Sequence, residues 1–194
     1  MKQANLSNVS TSGFPSVYAP REDSFLLEET VEVKANDFVL DLGCGSGIQG
    51  ISAALKGAKK VLSVDINKEA LECTAKNAKL LGVGERIETR ESNLFENIKE
   101  QFDCIIFNPP YVPSKEKKWK DTDGGKQGRE VLDLFLEQFP EHLREQGTCF
   151  FLQSSLNSEA ESSKKLCFFD LSFSVIARRK LFFEEIMVFK CFNQ

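Results

Sequence analysis

Histidine is almost missing from this chain. Its 194 residues include one, His142, in the charged run Glu141-His142-Leu143-Arg144-Glu145. A histidine-rich metal centre is thereby excluded, and no metal site is expected. As a single residue His142 reads as a solvated helix position before it reads as a general base. Close cysteine pairs are missing too. Cys44, Cys73, Cys104, Cys149, Cys167 and Cys191 are spread evenly, without the spacing of a zinc knuckle. Four of the six lie in or beside apolar strand-like runs, where a reduced cysteine acts as a small hydrophobe. No apolar run reaches the roughly 18 residues of a membrane span. The polar stretch Met1 to Gly13 lacks the apolar centre of a signal peptide. Positive charge is in deficit, with 25 Lys and Arg against 29 Asp and Glu and a net charge of −4. Such a balance argues against a surface that holds nucleic acid by charge alone.

What is present suits a globule with a real core, at 41% apolar and 28% charged residues. At roughly 150 residues per domain the length gives one domain with a modest extension. The expectation is a cytoplasmic, mildly acidic protein with a loose lead-in over 1–17 and a single domain over 18–194. A helix is expected from Asp23-Ser24, a candidate cap, to about Val31. Strand Asp37–Leu42, helix Gly47–Leu55, strand Val61–Asp65 and helix Lys68–Leu81 follow, with Gly82 as a stop. Strands at Arg86–Arg90 and Phe102–Phe107 come next, then helix Arg129–Leu143, strand Gly147–Gln153 and helix Ser158–Leu166. The chain closes on β-rich runs Leu171–Arg178 and Phe182–Phe192. Short apolar strands alternating with helices predict a doubly wound, Rossmann-like, mostly parallel seven-stranded α/β sheet. The last two strands are joined too closely for a crossover and must be antiparallel. The phenylalanines, 17 in all, cluster at 135–151 and 168–192 and read as core.

The first chemical motif is Val39-Leu40-Asp41-Leu42-Gly43-Cys44-Gly45-Ser46-Gly47, a strand entering a helix. Glycine lets the backbone turn tightly and approach a ligand with no Cβ in the way. The spacing is not that of a dinucleotide fingerprint, and no Lys-Ser/Thr follows as in a phosphate-binding loop. Asp41 before the glycines would repel a pyrophosphate and welcome an ammonium group. Asp65, ending the next strand, can accept hydrogen bonds from both hydroxyls of a ribose. A ribose, a cationic amino-acid end and no phosphate together fit S-adenosylmethionine. The blander account is a plain strand–helix turn with Asp65 capping the following helix.

The second motif is Asn108-Pro109-Pro110-Tyr111, directly after the apolar strand Phe102–Phe107. Ligands of doubly wound sheets sit beyond the carboxyl ends of the strands, so this turn should face the glycine loop. The two prolines fix the backbone and carry no N–H. The Asn108 side-chain carbonyl and the Pro109 main-chain carbonyl can both accept from one planar NH2 group. Its lone pair is delocalised, and two acceptors aimed at its hydrogens favour the pyramidal form that attacks a methyl sulfonium. Tyr111 can lie against the flat face of the target. No metal or general base is required.

With both motifs in place, the chain resembles the class I methyltransferases that modify planar amino groups, and most closely the HemK-like protein glutamine methyltransferases. Val17-Tyr18-Ala19-Pro20-Arg21-Glu22-Asp23-Ser24-Phe25-Leu26-Leu27 resembles the family's opening segment, which closes over the cofactor. Gly124-Gly125-Lys126-Gln127-Gly128-Arg129-Glu130-Val131 resembles the segment following the Asn-Pro-Pro-Tyr turn. The resemblance covers nearly the whole chain and is nearest to the short archaeal and eukaryotic branch. It implies that residues 18–194 form a class I methyltransferase domain using S-adenosyl-L-methionine. It also implies N5-methylation of the glutamine in the Gly-Gly-Gln loop of a translation release factor.

By the resemblance Tyr18, Ser24, Asp41, Gly43, Gly45, Gly47, Asp65, Asn93, Leu94 and Asn108 fall at cofactor positions. Asn108, Pro109, Pro110 and Tyr111 fall at the substrate, with Asn108, Pro109 and Tyr111 catalytic. The family has Asp-Leu-Phe where this chain has Asn93-Leu94-Phe95, and an Asn carbonyl can still accept the adenine amino hydrogen, with weaker binding. Short-branch members often pair with a small zinc-binding activator along the third strand. Here Arg86, Glu88, Arg90 and Glu91 make that edge highly charged, which reads as protection against pairing.

Lys115, Lys117, Lys118 and Lys120 surround Trp119, with Lys126 further on. This run is either a solvated loop or a substrate-bordering one, since a Trp among lysines serves a nucleobase or a protein loop equally. Two competing readings follow: an N6-adenine or N2-guanine methyltransferase acting on a flipped base, and a non-catalytic binding module that keeps the fold. The negative charge and the lack of a separate recognition domain weigh against nucleic acid, and the complete motifs against the module.

Overall fold

The computed structural model describes residues 6–112 and 128–193. The lysine run, Trp119 and the Gly124-Gly125 pair lie outside the described residues. Seven strands form one sheet: β1 (Phe38–Leu42), β2 (Lys60–Asp65), β3 (Ile87–Glu91), β4 (Phe102–Phe107), β5 (Leu143–Ser154), β6 (Leu171–Lys180) and β7 (Glu185–Asn193), in the order β3-β2-β1-β4-β5-β7-β6. β1 to β5 run parallel, while β7 is antiparallel to both β5 and β6. Five helices flank the sheet: α1 (Glu22–Thr30), α2 (Ile48–Lys56), α3 (Lys68–Leu80), α4 (Glu130–His142) and α5 (Glu159–Phe168).

Alternation along the strands divides the core. Val39, Val61, Ile106 and Phe150 pack with Leu27 of α1, Ile51 of α2 and Ala78 of α3. Leu40, Leu62, Ile105 and Phe151 pack with Phe135 and Phe139 of α4 and Leu166 of α5. Period-two strands buried on both faces are what a parallel sheet between two helical layers requires. Asp41 points to the face of α1–α3 and the hydrophobic Leu40 and Leu42 to the other. The strand order reverses between β1 and β4, which opens a crevice at their carboxyl ends. Leu42 and Phe107 are register partners, so Gly43 and Asn108 leave the sheet side by side.

Four expectations are corrected. Asp23 is not a cap: α1 starts at Glu22 behind Arg21, with no side-chain capping bond. The described part of the lead-in, residues 6–17, is docked on α3, where Asn77 donates to the Ser10 carbonyl at 3.0 Å, Asn67 to the Ser16 carbonyl at 3.0 Å, and Val17 packs on Ala70 and Cys73. β5 begins at Leu143, four residues early, because its ladder to β4 starts at Phe102 and resumes at Cys104 after a register shift. Not all the late phenylalanines are core. Phe168, Phe182 and Phe183 are exposed, the latter pair because they occupy the turn between β6 and β7. His142 closes α4, stacks on Phe95 and meets the Glu100 carbonyl through Nδ1 at 3.0 Å. That is the amino-end side of the sheet, away from the crevice. No described helix is long and apolar enough to cross a membrane.

Candidate active site

β1 delivers the glycine turn into the crevice. Gly43, Gly45 and Gly47 all have positive φ, at 65°, 51° and 83°, where a Cβ is strained. The reasons differ beyond φ. A Cβ on Gly47 would lie 2.9 Å from the Thr74 side chain, so α2 and α3 demand a glycine there. A Cβ on Gly45 would meet nothing within 4 Å, which leaves its open side for a ligand. Cys44 is buried under the turn, and burial raises its thiol well above the usual range.

Asp41 lies beneath this turn. Its Oδ2 accepts from the Gly50 amide at 2.9 Å and from the Ser63 hydroxyl at 3.4 Å, and burial pushes its carboxyl up to about 7. The direct ammonium contact read from the sequence thus competes with bonds that hold α2 against β1. Asp65 rises beside the loop, with Oδ2 accepting from the Gly45 amide at 3.0 Å and Oδ1 from the Asn67 amide at 2.9 Å. Burial raises this carboxyl too. Each oxygen keeps a lone pair for a hydroxyl donor. Asn67, and not Asp65, caps α3, accepting from the Glu69 amide.

The loop after β3 joins this side, as Ser92 donates its amide to the Asp65 carbonyl at 3.1 Å. Asn93 is exposed and gives its NH2 to Glu96 at 2.8 Å, so its carbonyl is the atom left to accept. Leu94 has φ 46°, an uncommon conformation for a bulky residue. Ser92 fixes it by donating to the Leu94 carbonyl at 2.8 Å.

From β4 the Asn108-Pro109-Pro110-Tyr111 turn enters the same crevice opposite α1. The Asn108 NH2 donates to Asp23 Oδ2 at 3.1 Å, and the Tyr111 hydroxyl donates to the same oxygen at 3.3 Å. Tyr18 donates to both Asp23 oxygens, at 3.2 and 3.3 Å, and Ser24 donates its amide to Oδ1 at 2.7 Å. Burial, and then the Asp23 charge, hold both tyrosine hydroxyls above their usual range, so they remain donors. Asn108 Oδ1 is buried and has no partner among the described residues. A cleft opens here, lined among others by Tyr18, Asp23, Pro109, Tyr111 and Glu184. The sequence-predicted residues thus fall into two groups: Tyr18, Pro109, Pro110 and Tyr111 line this cleft with Ser24 and Asn108 beside it, while Asp41, the glycines, Asp65, Asn93 and Leu94 lie at or just after the carboxyl ends of β1, β2 and β3, outside its lining. Gln49 bridges them by donating to the Ser24 carbonyl at 2.8 Å.

Sequence reasoning assigned no site role to Asp23, Gln49 or Asn157. Asn157 holds the far side of the turn, donating to the carbonyls of Tyr111 at 2.9 Å and Gly128 at 3.0 Å. Its own carbonyl accepts from buried Arg129, which also reaches Ser162 and Asp133. Arg129 was visible in the Gly-Arg-Glu-Val segment and Asp23 in the opening segment. Asn157 carries no local signal.

A doubly wound sheet with a glycine turn after β1, an acid ending β2 and an Asn-Pro-Pro-Tyr turn after β4 defines a class I methyltransferase. Comparison with known proteins agrees. The Methyltransferase small domain family matches residues 14–165, and the chain belongs to it, within the HemK-like protein glutamine methyltransferases. It is 46% identical over 181 residues to a Methanocaldococcus jannaschii protein carrying the provisional name protein N5-glutamine methyltransferase, with 90% of each chain covered. It is 32% identical to methyltransferase HEMK2 of Mus musculus, covering 82% of this chain and 81% of the relative. Among solved structures, Mtq2 in the E. cuniculi Mtq2–Trm112 complex, responsible for methylation of the eRF1 translation termination factor, superposes with a TM-score of 0.70. That match has 26% identity and covers 92% of this chain and 99% of the other. The chain is an S-adenosylmethionine-dependent methyltransferase. The open side of Gly45 and the remaining lone pairs of Asp65 fit that cofactor. Among the described residues no cluster of His, Cys, Asp and Glu could hold a metal ion.

Proposed function

We propose that this protein methylates the N5 nitrogen of the glutamine side chain in the Gly-Gly-Gln loop of a translation release factor. The observation that carries this reading is the buried Asn108 Oδ1, unpartnered among the described residues, at the root of the turn whose Pro109, Pro110 and Tyr111 line the cleft. A buried acceptor without a donor is costly, by about 1–3 kcal/mol, and a substrate amide hydrogen removes that cost. S-adenosylmethionine supplies a methyl group on a sulfonium, an electrophile that needs no further activation. Asn108 Oδ1 and the Pro109 carbonyl would accept the two hydrogens of the substrate NH2 and so draw the nitrogen lone pair out of conjugation with its carbonyl. As the N–C bond to the methyl forms, the methyl–sulfur bond breaks, the thioether S-adenosylhomocysteine leaves, and one of the two nitrogen hydrogens departs as a proton to water. Pro109 and Pro110 hold these acceptors rigid, and the Tyr111 ring packs against the amide plane.

On the cofactor wall, Asp65 takes the ribose hydroxyls, the Asn93 carbonyl and Leu94 the adenine edge, and the glycine turn with Asp41 the amino-acid end. Tyr18 and Ser24 close the site from α1. The relatives named for release-factor and glutamine methylation support the substrate, and the net charge of −4 favours a protein loop over nucleic acid. The setting of such a substrate is the cytoplasm.

A small zinc-binding activator is the second proposed partner, and the solved Mtq2–Trm112 complex supports a partner subunit. It would meet the edge strand β3, where Arg90 pairs with Glu88 and Glu100 at 2.8 and 2.9 Å and Lys60 with Glu88 at 2.7 Å. An edge so guarded requires the activator to replace those pairs. The reading is tested by mass spectrometry of a Gly-Gly-Gln release-factor fragment incubated with enzyme and cofactor, with and without the activator. One added methyl on the glutamine is expected. A fragment left unmodified in both arms, or an RNA methylated in its place, would sink the substrate assignment.

A further inference from the structure

The buried carboxylate of Asp23 is the point where the two halves of the acceptor wall meet. It is 4% exposed, and four residues donate to it: Tyr18, Ser24, Asn108 and Tyr111. A carboxylate accepts and does not donate. Only the NH2 end of the Asn108 amide can therefore face it, and the carbonyl end must face the other way. That other end is the unpartnered Oδ1. Without Asp23 the amide would be free to turn over about its last torsion, which has two roughly equivalent wells. The turned form offers a donor to a substrate NH2, which is itself a donor.

We propose that Asp23 is a positioning residue. Its carboxylate locks the Asn108 side-chain amide in the one orientation that presents an acceptor to the substrate nitrogen, and fixes the Tyr111 hydroxyl beside it. The proposal rests on the methyl-transfer reading of the crevice and adds how the acceptor is set before substrate arrives. It also explains why α1 begins where it does. The sequence places an acid one residue before Ser24, and 85 residues separate it from the side chain it orients.

Three readouts test this. First, in the 15N spectrum of wild-type protein without substrate, the Asn108 side-chain NH2 should be set apart from the exposed amides by its bond to Asp23. In Asp23→Asn it should collapse toward them. Second, Asp23→Asn should lower kcat by about 10²-fold, the cost of a misplaced reacting group, a larger fold-change than in cofactor Kd measured by calorimetry. Third, the exchange Asp23→Asn with Asn108→Asp restores one amide and one carboxylate, with an oxygen of residue 108 again facing the substrate. It should be at least about tenfold more active than Asn108→Asp alone, the non-additivity of a coupled pair.

A merely structural Asp23 predicts instead an unchanged amide signal, a kcat that falls no further than the cofactor affinity, or singles that add in the double variant; any of these overturns the proposal. If wild-type enzyme fails on the Gly-Gly-Gln fragment, the substrate reading falls, while the amide spectrum still decides the role of Asp23.

Discussion

Gly50 shows how little room the site's foundation leaves. A Cβ there would lie 2.6 Å from Ser63 Oγ and 2.8 Å from Asp41 Oδ2. Gly50→Ala should lower stability by about 1–3 kcal/mol through overpacking, read from denaturant unfolding curves. At the other wall, Asn108→Ala removes the acceptor of the substrate NH2 and should cut kcat by about 10²–10³-fold, measured in single-turnover methylation. Asn108 and Asp41 stood out in the sequence because each sits in a short motif, and Asp65 because it ends the strand after the glycine turn. Asp23 did not. It was read as a cap because an acid beside a serine at a helix start has a local explanation, and its real partners Asn108 and Tyr111 lie 85 and 88 residues away. The exposure of Phe182 and Phe183 was likewise invisible, since composition does not separate a turn from a core strand.

Among the elements, β4 matters most, because its register with β1 sets Asn108 beside Gly43. The turn it feeds is held from behind by Asn157. Asn157→Ala strips the donor from the Tyr111 and Gly128 carbonyls. It should cost about 1–3 kcal/mol, visible in the same unfolding curves, and lower kcat along with it. The tip between β6 and β7 behaves oppositely. Phe182→Ser and Phe183→Ser, at residues 92% and 85% exposed, should leave stability within about 0.5 kcal/mol. The mostly parallel sheet and the antiparallel final pair could be read from loop lengths and alternation, while the strand order came from the structure. The early start of β5 could not, because Arg144-Glu145-Gln146 reads as a polar loop while its ladder to β4 passes through a register shift.

For the whole molecule, the buried acids make stability depend on pH. Burial lifts Asp41 from 3.8 to about 7, and Asp65 moves in the same direction. The folded form therefore binds these protons more tightly than the unfolded chain does. The Asp41 contribution is complete below about pH 4 and is lost as pH rises through about 7, and Asp65 acts in the same direction. Thermal unfolding from pH 4 to 7 should show wild type losing more stability than Asp41→Asn, which keeps an acceptor for the Gly50 amide and does not titrate. All these features converge on a crevice that receives an uncharged NH2 group and pulls on its hydrogens. The most direct test follows the transfer of an isotopically labelled methyl from S-adenosylmethionine to a release-factor fragment. One version carries the loop glutamine, and a matched version carries glutamate in its place. The label should appear on the glutamine and be absent from the glutamate version. Equal labelling of both, or none in either with the activator present, would contradict the account.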